Sequence, residues 1–240
     1  MTATSGRAVT RKTSTDRAAH RLDPIAVEST SSIIARKLRE AIANGVLAAG
    51  EQLTEAGLAQ DLGVSRGPMR EAMQRLAQEG LLTSIRNRGL FVMELTRPDV
   101  EDIYLVRTAV ERAAGLLLIS RGDPEDILEL RSLLSAMQQA SDNEDSAALG
   151  QADLAFHEGF VALSRSTRLQ RTHATLVTET RVCMRVLNQT YPDRDDRLGE
   201  HARIVEAIAT GDADTMDRLL SEHARDALDR LLPRFPEPKF

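Results

Sequence analysis

The chain of 240 residues contains one cysteine, no tryptophan, two tyrosines and five phenylalanines. A single cysteine, Cys183, excludes an intrachain disulfide, and in an apolar helical context it is usually an inert small hydrophobic residue. So few aromatic side chains argue against binding of RNA or single-stranded DNA, which relies on base stacking. No apolar run approaches the length of a transmembrane helix, so we expect no membrane association.

Residues 1–28 are rich in Thr, Ser, Ala and Arg and lack the apolar run of a secretory signal. We expect this segment, which includes His20, to be a disordered and mildly basic arm, and the protein to be cytoplasmic. Residues 29–95 carry 8 Lys/Arg and 7 Asp/Glu, whereas residues 96–240 carry 18 and 26. Any DNA binding by residues 29–95 would therefore depend on a few well-placed cations, doubled by dimerisation.

A helix-turn-helix pattern begins at Thr54, which can cap a short helix with Leu58 on its buried side. Gly63 suits a sharp turn because it tolerates positive φ. Ser65 is then well placed as the N-cap of a second helix, in which Met69, Met73 and Leu76 recur at the spacing of a buried stripe.

Arg66 and Arg70 lie four residues apart on another face of that second helix, near its N-terminus. A recognition helix presents its first residues to base edges in the major groove, where guanidinium groups are useful. Two short strands, residues 83–85 and 90–92, are predicted around the turn Arg86-Asn87-Arg88-Gly89, and the arginines at this tip could reach phosphates or the minor groove. The alternative is that Arg66 and Arg70 form a solvated face and that the hairpin only closes the fold, but the cap, the turn, the buried stripe and the basic wing agree with one another.

Residues 31–93 resemble the N-terminal domain of the GntR family of bacterial transcription regulators. The matching stretches are Gly45 to Leu53, Leu58 to Ala72 with its Leu-Gly-Val-Ser-Arg run, and Arg88 to Val92. Two positions depart from the family pattern: Ala49 replaces a common proline, and Gly67 replaces a common hydroxyl residue. The pattern and the resemblance together assign DNA contacts to Thr54, Ser65, Arg66, Gly67, Arg70, Arg86, Arg88 and Gly89.

After a short linker at residues 95–98, the sequence predicts six further helices and no strands. They cover approximately residues 98–117, 123–134, 145–164, 167–190, 192–210 and 213–232. We therefore predict a mainly α protein, with a winged helix-turn-helix and a small β-hairpin wing at residues 29–95. An all-α bundle of six or seven helices is predicted to follow at residues 96–235.

One aspartate and three histidines could converge inside this bundle. Asp153 and His157 are four residues apart on one face of the third of these helices, His201 is on the fifth and His223 is on the sixth. Carboxylate and imidazole together suit divalent metals such as zinc, nickel, cobalt and manganese. The spacing alone leaves open that the aspartate–histidine pair and the other two histidines are ordinary surface residues.

Residues 99–232 resemble the FCD effector-binding domain of the FadR subfamily of GntR regulators. The resemblance is carried by Tyr104 to Arg107 with Glu111, by the Asp153–His157 pair, by Glu200 to Ile208 with Gly211-Asp212, and by His223. It implies a divalent metal, zinc being the first candidate, held by Asp153, His157, His201 and His223. His173, on the fourth helix, is expected to be a packing or pocket-edge residue.

A metal with four protein ligands can keep positions for a small organic acid, whose remaining oxygens would need nearby cations. The resemblance points to Arg107 for this role. Arg181 and Arg185, four apart on the fourth helix, are further candidates because arginine binds carboxylate in a bidentate manner. The alternative for these two is a surface ion pair with Glu179 or with an acidic residue on a neighbouring helix.

We therefore expect a transcriptional repressor that binds a palindromic operator as a homodimer and responds to a carboxylate effector through a bound metal. One alternative is a direct metal sensor, in which the ion itself is the signal. Another is a metal-dependent hydrolase fused to a DNA-binding domain, since an open metal site could activate water. No residue is obviously placed by the sequence as the general base of such an enzyme.

Overall fold

A computed structural model describes residues 28–188 and 194–238, and side chains within residues 28–187 and 197–238. The predicted arm at residues 1–28 lies outside the described residues, except for Glu28. The first part of the fold contains α1 (Thr30–Ala43), β1 (Gln52–Leu53), α2 (Glu55–Asp61), α3 (Arg66–Gln78), β2 (Leu82–Ile85) and β3 (Gly89–Val92). This order of helices and strands confirms the predicted winged helix-turn-helix.

Apolar residues on α1 and α3 form the core of this winged module. Ile34, Leu38 and Ile42 recur along the buried side of α1, and the predicted stripe of Met69, Met73 and Leu76 on α3 is at most 1% exposed. The predicted burial of Leu58 on α2 is only partly met. Leu58 and Leu62 are half-buried, and Ala59 is the fully buried residue of this helix. The amphipathic pattern of Ile34, Leu38 and Ile42 continues in the sequence to Val46, but α1 ends at Ala43 and Val46 is exposed.

The turn between α2 and α3 follows from local backbone chemistry. The hydroxyl of Thr54 accepts a hydrogen bond from the backbone N–H of Gly57 at 3.2 Å, so Thr54 caps α2 as predicted. Gly63 adopts φ of 63°, which a glycine tolerates without strain. Ser65 precedes α3 but forms no side-chain capping hydrogen bond, so the expected capping contact is absent.

The wing is a three-stranded antiparallel sheet in the order β1-β3-β2, and not only a hairpin. In the hairpin, Leu82 pairs with Val92 and Ile85 pairs with Gly89, while Gln52 of β1 pairs with Phe91 on the other edge. The turn contains Asn87 with φ of 63°. The sequence pattern did not predict β1, because a strand of two residues shows no alternation of polar and apolar side chains.

Six helices follow, as predicted for the described part of the chain, and they are α4 (Arg97–Arg121), α5 (Pro124–Asp142), α6 (Ser146–Leu163), α7 (Thr167–Asn188), α8 (Arg194–Ala209) and α9 (Ala213–Leu231). A 3-10 turn, Leu232–Arg234, closes this region. Several of these helix ends have polar or glycine boundaries: Asp123 caps α5, Asp145 caps α6 and Gly122 ends α4 with φ of 62°. None of the helices described is long and apolar enough to span a membrane.

The winged module and the helical bundle share one apolar core. Tyr104 of α4, Cys183 and Met184 of α7, and Leu231 of α9 belong to the same buried cluster as the core of α1 and α3. A second cluster fills the far end of the bundle around Phe156, Phe160 and Ile204. Burial raises the pKa of the Cys183 thiol to about 12, which fits its expected role as an inert packing residue.

Candidate metal and ligand chamber, and a DNA-facing surface

Three helices bring the predicted metal ligands together inside the bundle. Asp153 and His157 lie on the inner face of α6, His201 lies on α8, and His223 lies on α9. Asp153, His157 and His201 are at most 1% exposed. One ligand atom from each histidine lies within 4.8 Å of the others, which is close enough for one ion to contact all three.

The shortest contacts within this set are between atoms that could bind a metal. Nε2 of His201 lies 3.2 Å from Nε2 of His157 and 3.2 Å from Oδ1 of Asp153. Oδ2 of Asp153 lies 4.0 Å from Nε2 of His157. Two nitrogens bound to one zinc ion at about 2.1 Å each are separated by about 3.0–3.5 Å, so the 3.2 Å distance between the histidine nitrogens fits a shared ion.

Hydrogen bonds from the other ring nitrogens fix two of these imidazoles. Nδ1 of His201 donates to the backbone carbonyl of Arg197 at 2.7 Å. Nδ1 of His223 donates to the carboxylate of Glu200 at 2.7 Å. In a neutral imidazole the opposite nitrogen, Nε2, then has a lone pair and no hydrogen. These outer contacts are the kind that orient metal-binding histidines, so the residues present fit a divalent ion.

His157 is held differently, by the buried carboxylate of Glu111 on α4. Its Nδ1 lies 2.9 Å from Oε1 of Glu111 in a close electrostatic contact and forms no hydrogen bond with the described residues. Burial, followed by the nearby positive charge of Arg107, lowers the pKa of His157 to about 3. The imidazole is therefore neutral at physiological pH, which is the form that binds a metal.

Asp153 has a second partner that the sequence did not indicate. Nε of Arg197, on α8, donates to Oδ1 of Asp153 at 2.9 Å, and both side chains are at most 3% exposed. Burial alone would raise the pKa of Asp153, but Arg197 and His201 hold it well below its usual range. Asp153 is therefore ionised and available as an anionic ligand, while one of its oxygens is shared with a guanidinium group.

We call the buried region around Asp153, His157, His201 and His223 the chamber. Arg107 reaches the chamber from α4 and is 3% exposed. Its Nε donates to Oε1 of Glu111 at 2.8 Å, and its guanidinium carbon lies 5.3 Å from the centre of the Tyr104 ring. Its Nη1 is buried and has no hydrogen-bond partner among the described residues. An unpaired donor on a buried cation is costly, so this atom is suited to an anionic ligand.

Arg181 and Arg185 lie apart from the histidines, on the exposed side of α7. Arg181 lies 3.5 Å from Glu158 of α6, which is the surface ion pair that the sequence offered as the alternative. Both arginines line a cleft of about 640 Å³ that α1, α6 and α7 enclose. His173 is buried, with its Nε2 3.8 Å from Oε1 of Glu111.

Five of the predicted DNA-contacting residues lie on α3 or directly before α2 or α3. Arg66, Gly67 and Arg70 are exposed on the first turns of α3. Nε of Arg70 lies 3.0 Å from Oε2 of Glu55 on α2, and the Arg70 side chain remains 60% exposed. Thr54 and Ser65 are also exposed, although the Thr54 hydroxyl is already occupied by its cap.

The wing presents its own cations. Arg86 and Arg88 are exposed beside Gly89 at the turn between β2 and β3. The guanidinium carbon of Arg88 lies 5.2 Å from the centre of the Phe91 ring, which partly orders this side chain. The amide of Gln52, on β1, donates to the backbone carbonyl of Arg88 at 2.5 Å and thereby holds the wing tip.

Three contributors to the chamber, Glu111, Arg197 and Glu200, had no role assigned from the sequence. Arg197 precedes His201 by four residues on α8, so helical spacing places it on the same face, but arginine is not a typical metal-site residue. Glu200 is adjacent to His201 in the sequence and instead contacts His223 on α9. Only the packing of α8 against α9 creates this contact.

The chain matches two protein families. Residues 30–92 match the family described as bacterial regulatory proteins, gntR family, and residues 102–226 match the FCD domain. The chain is 34% identical over 175 residues to YdhC, an uncharacterized HTH-type transcriptional regulator of Bacillus subtilis, covering 72% of this chain and 77% of the relative. It is also 29% identical over 208 residues to the gluconate operon transcriptional repressor of the same species, covering 85% of each chain.

A solved structure agrees with these matches. A GntR-type transcriptional regulator from Rhodococcus sp. RHA1 is similar with a TM-score of 0.72 and 28% identity, covering 87% of this chain and all of that one. McbR/YncC of E. coli shares the fold with a TM-score of 0.74 at 21% identity, covering 87% of this chain and 99% of that one. The chain belongs to the GntR family of bacterial transcriptional regulators, with a winged helix-turn-helix followed by an FCD domain, and is a regulator rather than an enzyme.

Proposed function

We propose that this regulator is a repressor whose DNA binding responds to a small carboxylate, held in the chamber by a divalent metal and by Arg107. The observation that carries the proposal is Nη1 of Arg107, a buried guanidinium donor without a partner among the described residues. This nitrogen lies in the same chamber as three imidazoles that together could hold one ion. A carboxylate would satisfy both groups at once.

In this proposal His157, His201, His223 and Asp153 hold the ion, with zinc as the first candidate and nickel, cobalt or manganese as others. When bound, the ion supplies a Lewis-acidic centre for carboxylate oxygens. The protein's own contribution is to fix the ligands, through Glu111, Glu200 and the carbonyl of Arg197, and to offer Arg107 to the rest of the acid.

The chamber adjoins the core that supports the DNA-binding helices. The Arg107 guanidinium stacks beside Tyr104, and the Tyr104 hydroxyl lies 4.0 Å from Sδ of Met184. Tyr104 and Met184 are both in the apolar cluster that contains the buried stripe of α3. A ligand that repositions Arg107 would therefore alter packing beneath the winged module, provided that it binds the two arrangements with different affinity.

The winged module supports the proposal of operator binding, and the names of two relatives support the proposal of repression. The gluconate operon regulator and a probable D-xylose utilization operon regulator of Paenarthrobacter nicotinovorans, 28% identical over 206 residues, are both named repressors. Residues 29–95 would bind the operator through Arg66, Arg70, Arg86 and Arg88, supported by Thr54, Ser65, Gly67 and Gly89, and residues 96–235 would hold the effector. Because operators are bacterial chromosomal DNA, the site of action would be the cytoplasm.

A homodimer on a palindromic operator is the proposed assembly. Leu105, Ala109 and Leu116 lie on one outward face of α4, and Leu105 and Leu116 are 67% and 49% exposed in the single chain. An exposed apolar stripe of this kind is typical of a contact with a second copy. The two winged modules would then each bind one half-site.

Binding of labelled operator, selected from random duplexes, should be measured on the metal-loaded protein with and without a panel of carboxylic acids. We expect at least one acid to shift operator affinity in the wild type, and Arg107→Gln to lose the shift while it keeps its metal. A shift produced by metal alone, with no acid effective, would instead support the direct metal sensor. Arg181→Gln serves as a control for an arginine outside the chamber.

A further inference from the structure

The cleft of about 640 Å³ between α1, α6 and α7 lies beside the chamber. Two of the residues that line it, Leu154 of α6 and Met184 of α7, are 8% and 4% exposed. Leu154 is adjacent to Asp153 in the sequence, so the buried wall of the cleft directly adjoins the proposed metal ligands. The volume of the cleft is in the range of small-molecule pockets.

The side chain of Met184 lies between the cleft and the chamber. Its Sδ lies 4.0 Å from Oη of Tyr104, whose ring stacks beside the Arg107 guanidinium. The same sulfur lies 3.9 Å from Nη2 of Arg197. Three of the four proposed metal ligands are at most 1% exposed, so an acid can reach them only if a side chain moves. Methionine is unbranched and has several rotatable bonds, so Met184 is suited to such a movement.

The charges that line the cleft leave one cation without a carboxylate partner. Glu40 lies 4.0 Å from Arg36, and Glu158 lies 3.5 Å from Arg181. The fourth charged residue of the lining, Arg185, has no ion pair within the described part of the chain. The cleft can therefore attract an anion through Arg185.

The guanidinium group of Arg185 packs against the end of the first helix of the winged module. Gly45 follows α1 with φ of 71°, and a Cβ at this position would overlap with Nη1 of Arg185. The absence of a side chain at Gly45 therefore leaves the space that the guanidinium occupies. This contact keeps the cation where α1 meets α7, at the cleft.

A second opening approaches the chamber beside His223. It measures about 120 Å³ and is lined by three carboxylates and one guanidinium group, those of Glu200, Glu222, Asp226 and Arg203. In the cleft, by contrast, acidic and basic residues are equal in number. A carboxylate would therefore be repelled more strongly at the second opening than at the cleft.

We propose that a small carboxylate enters the chamber through the cleft, that Arg185 attracts it there, and that rotation of Met184 admits it. This inference rests on the proposed carboxylate-sensing function and adds the route that the effector takes. Met184 then sets the rate of binding rather than the affinity. Because α1 forms one wall of the cleft, the entering acid passes along the winged module.

The test measures how fast a small anion reaches the chamber of the full-length protein loaded with cobalt, whose absorption spectrum changes when azide binds. Stopped-flow mixing gives the association and dissociation rates of azide, and imidazole in its neutral form is the uncharged probe. Met184→Ala should raise both rates by the same factor, about tenfold, for either probe, because only the barrier to entry is lowered. The dissociation constant should therefore not change.

Arg185→Gln should slow the association of azide about threefold at low salt, which is the effect of one nearby charge, and should leave imidazole unaffected. The difference from the wild type should disappear as the salt concentration rises. An azide rate that Arg185→Gln leaves unchanged at low salt would remove Arg185 from the route.

Leu219→Ala and Arg203→Gln are the matched controls, because both residues line the second opening. Both variants should keep the wild-type rates. Faster binding in Leu219→Ala, with wild-type rates in Met184→Ala, would place the route at the second opening and overturn the proposal.

Metal content and circular dichroism are measured on each variant. If Met184→Ala does not fold, the salt-dependent rates of Arg185→Gln, a surface position, decide the question. If azide binds to the wild type but neither Met184→Ala nor Arg185→Gln changes its rates, the route is overturned and carboxylate sensing stands. If the cobalt-loaded wild type binds no azide, the metal has no open position for an anion, and carboxylate sensing fails together with the route.

Discussion

The guanidinium of Arg70 on α3 is held by Glu55 on α2, the preceding helix, with Nε 3.0 Å from the carboxylate. The Arg70 side chain is 60% exposed, so the pair is weak and solvent-screened. It nevertheless keeps a long side chain extended across the turn between α2 and α3. DNA phosphates and base edges would compete with Glu55 for this cation.

Replacement of Arg70 by alanine should cost about 1–3 kcal/mol of specific operator binding if its guanidinium reads a base. The loss should be largest for the preferred sequence and small for random duplexes. Fluorescence anisotropy with both kinds of duplex measures the difference. Arg75→Ala, on the last turn of the same helix and paired with Glu79, is the control and should bind as the wild type does. Unchanged operator affinity in Arg70→Ala would remove α3 from the DNA interface.

Arg88 should contribute through phosphates rather than bases, because it lies at the wing tip and stacks on Phe91. Arg88→Ala should therefore weaken binding to all sequences by a similar factor. The slope of log affinity against log salt concentration should fall by about one. A loss confined to one sequence, with the salt slope unchanged, would contradict this role.

The fold followed closely from the sequence where the pattern was periodic. The stripe of Met69, Met73 and Leu76 and the order of the six C-terminal helices depend on spacing within one helix, which a single sequence displays. The ends of two of these helices were placed too early, because α4 continues to Arg121 and α5 to Asp142. The strand β1 was missed because Gln52 and Leu53 acquire strand geometry only by pairing with β3. Ser65 begins a helix as expected, but its side chain makes no cap, a detail that depends on rotamer rather than residue type.

The sequence predicted which residues of the chamber could bind a metal, but not which residues contact and orient those ligands. Asp153 and His157 share a face by their spacing, and family resemblance supplied the other two histidines. The partners of these residues cross between helices: Arg197 meets Asp153 from α8, and Glu200 meets His223 on α9. Contacts between helices far apart in sequence leave no periodic signal, so a single sequence could not show them.

The ion pair of Arg39 with Glu79 should give a pH-dependent contribution to stability. Both guanidinium contacts are 2.7 Å, and the hydrogen bond from Arg39, opposed by burial, lowers the pKa of Glu79. The contribution is therefore present above the unfolded value of about 4.3 and is lost as pH falls through the folded value. Because the side chains are partly exposed, we expect about 0.5 kcal/mol.

Thermal unfolding of Arg39→Gln against the wild type, from pH 7 to pH 3.5, measures this effect. The difference in free energy of unfolding should shrink below about pH 4. Arg36→Gln, at a more exposed position on the same helix, should show little difference at any pH. A stability gap for Arg39→Gln that is constant across this range would mean that Glu79 does not change its protonation on unfolding.

Assembly should depend on the exposed apolar face of α4. Leu105→Glu combined with Leu116→Glu should convert a dimer to a monomer at micromolar concentration, measured by light scattering after gel filtration. The same protein should bind a full palindromic operator no more tightly than an isolated half-site. Val46→Glu, which replaces an exposed apolar residue on the winged module, is the control. Persistence of the dimer in the double variant would place the two-fold contact on another surface.

Metal affinity should fall most when a residue that binds the ion is replaced, and less when a residue that only orients such a ligand is replaced. His223→Ala removes a ligand and should abolish most binding of a single divalent ion per chain, whereas Glu200→Gln leaves the ligand but loosens its orientation. The second change should weaken metal affinity by about 10–100-fold. Glu222→Gln, next to His223 but paired with Arg218 at the surface, should bind the metal as the wild type does.

Elemental analysis and chelator competition measure these affinities, and the unfolding temperature should fall in the same order because metal binds only the folded state. Operator binding without effector should change less, because none of the four proposed metal ligands lies in the winged module. A metal-free His223→Ala protein that still responds normally to its acid would show that the ion is structural and that sensing occurs elsewhere.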